Sequence, residues 1–260
     1  MSRHLLLAVF ILTSILPASA KKRPQPPDPA WAGITARGRM LAEYDAAIIT
    51  ASRELKGKHT ANDRGSLYLA RKTDAGWVVA YGRRSDSGDK FLIADWATPG
   101  ANPQELSVTH NEPPQEDTGF FLFAARALEL SWKNFQVQPR PYHYAVLPAD
   151  SGQMYTYIYP APTRPGIYPL GGDVRFLISS DGSTIIEKRL LHKTILEIDP
   201  TRIPPGAQWS GGAHSHVLTD TPEDTDVFYV LTRKPAGPEY IGTRQGVFAV
   251  ETDGTIQQVK

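Results

Sequence analysis

Two of the seven histidines stand together in His214-Ser215-His216, and Asp220, Glu223, Asp224 and Asp226 follow within ten residues. No other stretch concentrates groups able to bind a metal or move a proton to this degree. On an extended strand, residues two apart point to the same side, so both imidazoles reach one cation at the ~2.0–2.1 Å of a zinc–nitrogen bond. A carboxylate from Asp220, Asp224 or Asp226 would complete three ligands and leave a fourth position for water, the arrangement of a zinc hydrolase. The plainer alternative puts His214 and His216 on an exposed strand face, with Thr221-Pro222-Glu223-Asp224 as an acidic turn. His192, in Arg189-Leu190-Leu191-His192-Lys193, could supply a third imidazole or be a satisfied surface or core histidine. His143, flanked by Tyr142 and Tyr144, and His59 and His110, in loop context, have no partner legible in the sequence.

A second candidate surface is aromatic. Tyr155, Tyr157 and Tyr159 alternate with Thr156 and Ile158, which puts three phenols on one strand face about 7 Å apart. Tyr142 and Tyr144 could continue the stripe on a neighbouring strand. Such a platform suits an envelope peptide, glycan or protein, rings giving contact area and hydroxyls orienting it. Tyrosines packed under a helix are the alternative. Gly171-Gly172-Asp173 precedes a strand and not a helix, so it is a turn or bulge and no phosphate loop. Ser210 and Ser215 lack the Gly-x-Ser-x-Gly elbow of a serine hydrolase.

The elements that must position these groups begin after a leader. Arg3 and His4 precede an apolar run from Leu5 to Leu16 and the small-x-small end Ala18-Ser19-Ala20, which predicts a signal peptide cleaved after Ala20 and a periplasmic or secreted product. With no cysteine, disulfides, thiolate metal sites and lipid attachment are excluded. Without Arg3 the chain carries 27 basic and 27 acidic residues, a balance that argues against nucleic acid or an anionic membrane as partner. No later segment is apolar enough to span a membrane.

Residues 21–36 open with four prolines in nine positions and are expected to form a linker. Apolar spacing predicts an amphipathic helix over 37–55, and strands over 66–71, 77–82 and 90–96 complete an N-terminal unit spanning 37–97. Residues 98–117, with four prolines, are expected to be a loop. A C-terminal unit over 118–260 starts with a helix apolar nearly all round, over 118–134, which must be buried. Strands over 142–147, 153–159, 173–179, 184–191, 213–218, 226–232 and 246–251 follow, and the two units could form one domain. The expected class is α+β, antiparallel meanders packed against two helices in a duplicated helix-plus-meander plan.

The helix-then-meander order over about 118–191 resembles the cystatin-like arrangement of exported bacterial modules such as PepSY domains. More broadly, Pro169 to Phe176, Leu190-Leu191-His192-Lys193, and the His-Ser-His stretch with Thr221 to Phe228 resemble a family of uncharacterised exported bacterial proteins, a likeness that implies no activity. The His-x-His spacing also resembles the zinc motif of JAMM-type isopeptidases, in which seven residues, a serine, two residues and an aspartate follow. Val217 to Glu223 supply the seven, but Asp224 stands at the serine position and only Thr225 precedes Asp226. A strand from Asp226 onward would depart from that family's helix, and its upstream catalytic glutamate has no identifiable counterpart, Glu187 and Glu197 being merely available. Two readings result: an exported protein that binds a partner through its sheet face at Tyr155, Tyr157 and Tyr159, or a metal-dependent hydrolase holding zinc with His214, His216 and Asp226.

Overall fold

Helix α1 (Ala32–Leu55) turns Thr35, Gly38, Leu41, Tyr44, Ala51 and Leu55 inward at three- and four-residue steps, as its apolar spacing requires. The computed structural model describes residues 28–55, 66–100, 106–199, 202–204, 206 and 209–259; the leader, most of the proline-rich segment and His59 lie outside them. The helix starts five residues before the expected position, so 32–36 belong to it and not to a linker. Two contacts fix that first turn: Asp28 accepts the Ala30 N–H at 2.9 Å, and Trp31 packs edge-on against Phe248 at 5.3 Å.

An antiparallel sheet follows in the order β1-β2-β3-β4: β1 (Leu67–Thr73), β2 (Gly76–Arg84), β3 (Phe91–Pro99) and β4 (Leu106–Asp117). The expected loop over 98–117 is therefore largely a strand. Pro113 and Pro114 hid it, and they are tolerated because β4 is an edge strand whose outer groups need no ladder partner. Helix α2 (Phe120–Lys133) comes next, then β5 (Tyr142–Pro148), β6 (Met154–Pro160), the short β7 (Tyr168–Leu170), β8 (Val174–Ile178) and β9 (Ile185–Leu190). The second antiparallel sheet has the order β5-β6-β8-β9, while β7 pairs with β10 (Leu196–Ile198). Helix followed by four-stranded meander thus occurs twice. The first strands of the two sheets lie side by side, where the Tyr68 N–H donates to the Tyr144 hydroxyl at 3.1 Å.

The all-round apolar character of α2 has a direct cause. Phe121, Leu122, Ala124, Ala125 and Leu128 share one core with Leu69, Ala80 and Phe91 of the first sheet and Val146, Ile158 and Phe176 of the second. On the opposite faces of both sheets, Leu41, Tyr44 and Ala51 of α1 pack with Val79, Ala145, Leu147, Tyr157 and Tyr159. Burial of β6 on both faces follows from this layering.

The chain ends in β11 (Gly212–Ser215), helix α3 (Asp224–Thr232), β12 (Glu239–Thr243), β13 (Gly246–Val250) and β14 (Ile256–Val259). They form a sheet in the order β11-β12-β13-β14, with β11 parallel to β12 and α3 as the crossover between them. The fold is α+β with antiparallel meanders, as expected, but it contains a third helix where 226–232 was read as a strand. No helix among the described residues is long and apolar enough to cross a membrane.

Candidate metal centre

His214 and His216 sit at the end of β11, on the same side as their spacing requires. His216 continues the strand by donating its N–H to Gly242 O at 2.9 Å. Asp226 occupies the first turn of α3, where its carboxylate and Glu223 form a reciprocal capping box; Asp226 Oδ2 accepts the Glu223 N–H at 2.6 Å. This cap locks the carboxylate toward β11. His192, just past β9, completes the group.

The four side chains converge. His216 Nε2 lies 2.9 Å from His192 Nε2 and 3.1 Å from His214 Nε2. Asp226 Oδ1 lies 3.1 Å from His192 Nε2 and 3.2 Å from His214 Nε2, and its Oδ2 lies 3.3 Å from His216 Nε2. Neighbouring ligands of a tetrahedral ion with bonds of ~2.0–2.1 Å stand about 3.3 Å apart, close to these five separations. The side chains of His192, His214, His216 and Asp226 are 7, 3, 1 and 0 % exposed, so a cation there would be bound in the protein and not on it. This group of three histidines and one aspartate could hold a metal ion.

The outer ring nitrogens decide the tautomers. His192 Nδ1 donates to Asp173 Oδ1 at 2.9 Å, His214 Nδ1 to Glu239 Oε1 at 2.9 Å, and His216 Nδ1 to the Thr221 carbonyl at 2.9 Å. Each acceptor lacks a hydrogen to give, so each neutral ring carries its proton on Nδ1 and aims the Nε2 lone pair inward. Outward partners of this kind orient metal-ligating histidines and raise their basicity. Gly171 and Gly172, both at positive φ (87° and 66°), make the turn that seats Asp173; a Cβ on Gly171 would fall 2.2 Å from Thr194 O. Glu239 is in turn held by the buried Arg233, whose guanidinium also donates to Gly237 O and Pro238 O at 2.7 Å. Asp173→Asn is expected to weaken metal binding about 10–100-fold while leaving the fold intact, as isothermal titration with zinc would measure.

Electrostatics favour positive charge at the centre. Burial alone would lower His192, but the carboxylates of Asp173 and Asp226 hold it well above the usual imidazole value. Burial opposes charge at His214 as well, yet hydrogen bonds to Asp226 and Glu239 bring it to about 9. Asp226, although buried, is kept well below the usual carboxylate range by His192 and the other two imidazoles. Two Nε2–H groups 2.9 Å apart would set hydrogen against hydrogen, so His192 and His216 cannot both carry an inward proton, whereas one shared cation could take the lone pairs of both.

The other sequence candidates lie elsewhere. Asp224 points away, its Oδ2 accepting from Arg175 at 2.5 Å and the Tyr157 hydroxyl at 2.8 Å, and its Oδ1 from Arg37 at 2.9 Å. Asp220 pairs with Arg244 and Glu197 with Arg140; Glu187 lies on β9, outside the cluster. His110 is on β4, in no loop, with Nδ1 3.0 Å from Asp95. Glu223 holds Arg189 at 2.6 Å, and burial pushes its carboxyl up to about 7 against that cation's pull.

The tyrosine stripe is no open platform. Tyr157 and Tyr159 are buried, with the Tyr159 hydroxyl donating to Asp45 at 3.1 Å, and half-buried Tyr155 lies under the guanidiniums of Arg175 and Arg37 at 5.0 and 5.6 Å. The phenols face α1 and α3 because β6 is covered on both sides. Sequence reasoning missed Asp173 and Glu239 as supports; the Gly171-Gly172-Asp173 turn was the one visible signal for the first. Comparison with protein-family models, curated proteins and solved structures gives no match.

Proposed function

We propose that this is an exported zinc-binding protein whose ion is held by His192, His214, His216 and Asp226 and fastens its C-terminal strand–helix–strand unit to the second sheet. The observation that carries this reading is the outward Nδ1 hydrogen bonding of all three histidines, which leaves three lone pairs and a carboxylate aimed at one point. Three imidazoles and one carboxylate within 4.8 Å of one another suit zinc, and four protein ligands make the closed coordination typical of structural sites. The ligands come from three segments, after β9, on β11 and on α3, so the ion would cross-link a chain that has no disulfides. Export to the periplasm or beyond, with cleavage after Ala20, rests on the leader sequence. Protein purified without a histidine tag is expected to contain about one zinc per chain by elemental analysis, and the His214→Ala/His216→Ala double variant none. Wild-type protein without zinc, and unable to take it up, would sink the proposal.

A pocket supports a second reading, metal-dependent hydrolysis. A space of about 290 Å³ is lined by His192, His214 and His216 together with Leu170, Leu191 and Val217. Expansion to five-coordinate zinc would admit a water from that side. Zinc-loaded protein that cleaves peptide or ester substrates, with the activity lost on chelation and restored by zinc, would favour this reading over a structural ion.

A further inference from the structure

A second pocket, of about 300 Å³, is enclosed by α1, β5, β6, β7 and α3, and its argument does not depend on the metal. Ala42, Asp45, Ala46 and Ile49 form its α1 wall, one helix face at three- and four-residue spacing. Tyr159, Tyr168 and Phe228 supply aromatic surface, the rings of Tyr159 and Phe228 meeting in a T at 5.1 Å. The wall carries a single carboxylate, that of Asp45, whose side chain is 16 % exposed. Its Oδ1 accepts the Tyr159 hydroxyl at 3.1 Å, and His143 Nδ1 stands 3.8 Å off, beyond hydrogen-bond reach. Asp45 Oδ2 has no hydrogen-bond partner among the described residues.

This combination selects a ligand class. A carboxylate oxygen that faces a largely apolar pocket and has no protein donor gains most from a charged donor on the ligand, and the faces of neighbouring aromatic rings attract a cation. An anionic ligand would meet the Asp45 charge, and a wholly apolar one would desolvate it without compensation. We propose that this pocket binds a primary organic ammonium on an apolar, ring-sized body, the ammonium on Asp45 and the body against Phe228, Tyr168 and Ile49. A free small amine and the amino terminus of a peptide present the same chemistry.

Calorimetric titration of the full chain with phenethylamine tests the assignment, with phenethyl alcohol and hydrocinnamate as neutral and anionic counterparts. Saturable binding of the amine is expected, with the alcohol at least about tenfold weaker and the acid weaker still. Asp45→Asn, which keeps an acceptor for Tyr159, is expected to lower amine affinity about tenfold or more. Ala46→Phe, at an exposed position on the pocket rim, is expected to block it, both variants showing wild-type circular dichroism and melting. A phenylalanine-initiated peptide and its N-acetylated form separate the two sources: binding of the free-amine peptide tighter than that of phenethylamine and lost on acetylation names a chain terminus as occupant, and preference for phenethylamine names a small molecule. Equal binding of amine and alcohol, no binding of either, or an unchanged affinity in Asp45→Asn overturns the proposal.

Discussion

Removing the metal is expected to lower the thermal midpoint of the protein by about 10 °C and restoring zinc to raise it again. A ligand held at about 1,000 times its dissociation constant adds about 4 kcal/mol to the folded state. For a chain of this size each kcal/mol moves the midpoint by roughly 2–4 °C. The effect should be large here because three imidazoles and a buried carboxylate, carried on three separate segments, face one another within hydrogen-bond distance, so that one ion would tie all of them together. Differential scanning calorimetry with and without a chelator, followed by back-titration with zinc, measures the shift. Chelator-sensitive proteolysis between β9 and α3 should accompany it, since the proposed ligands lie on segments that the ion would join. An unchanged midpoint after verified removal of zinc would discard the structural role and leave a bound ion to the hydrolytic reading.

How far the sequence reached can be judged from single residues. The amphipathic α1, the buried α2 and most strands of both meanders were legible because their periods are clean. Asp226-Val227-Phe228-Tyr229-Val230-Leu231-Thr232 was not, since a short apolar, β-rich run fits a buried strand and a buried helix alike. The signal that separates them was present: Glu223 and Asp226 stand three apart, the spacing of a capping box, and the structure makes that box. His214, His216 and Asp226 were identified from spacing and do come together. His192 was an open alternative because its place depends on Asp173, nineteen residues away across a hairpin. The tyrosine stripe failed for a different reason: alternation marks an exposed face only when one side of a sheet meets solvent, and β6 is covered on both.

Asp224 and Asp226 offered equal claims in the sequence, and exchanging them one at a time is expected to give opposite phenotypes. On a helix, residues two apart point about 200° away from each other, so the first turn of α3 sends one carboxylate to the cluster and the other into the protein. Asp224, fully buried, neutralises Arg175 on β8 and Arg37 on α1 and accepts from Tyr157 on β6. Burial would disfavour the Arg175 charge, but Asp224 outweighs it and raises the guanidinium's affinity for its proton. Asp224→Ala leaves that guanidinium without its counter-charge and should cost about 3–5 kcal/mol of stability, the usual loss on breaking a buried pair from one side. Zinc bound at low temperature should persist in that variant, because no ligand is lost. Asp226→Ala removes a ligand, the capping acceptor and the counter-charge of His192 and His214; it should empty the site and fall below metal-free wild type by more than the ~1 kcal/mol of a helix cap. Urea unfolding of both variants with and without a chelator separates the roles: the chelator should destabilise Asp224→Ala by the wild-type increment and leave Asp226→Ala unmoved. A chelator response that survives in Asp226→Ala would mean that the ion does not need this carboxylate, and the four-ligand assignment would then be wrong.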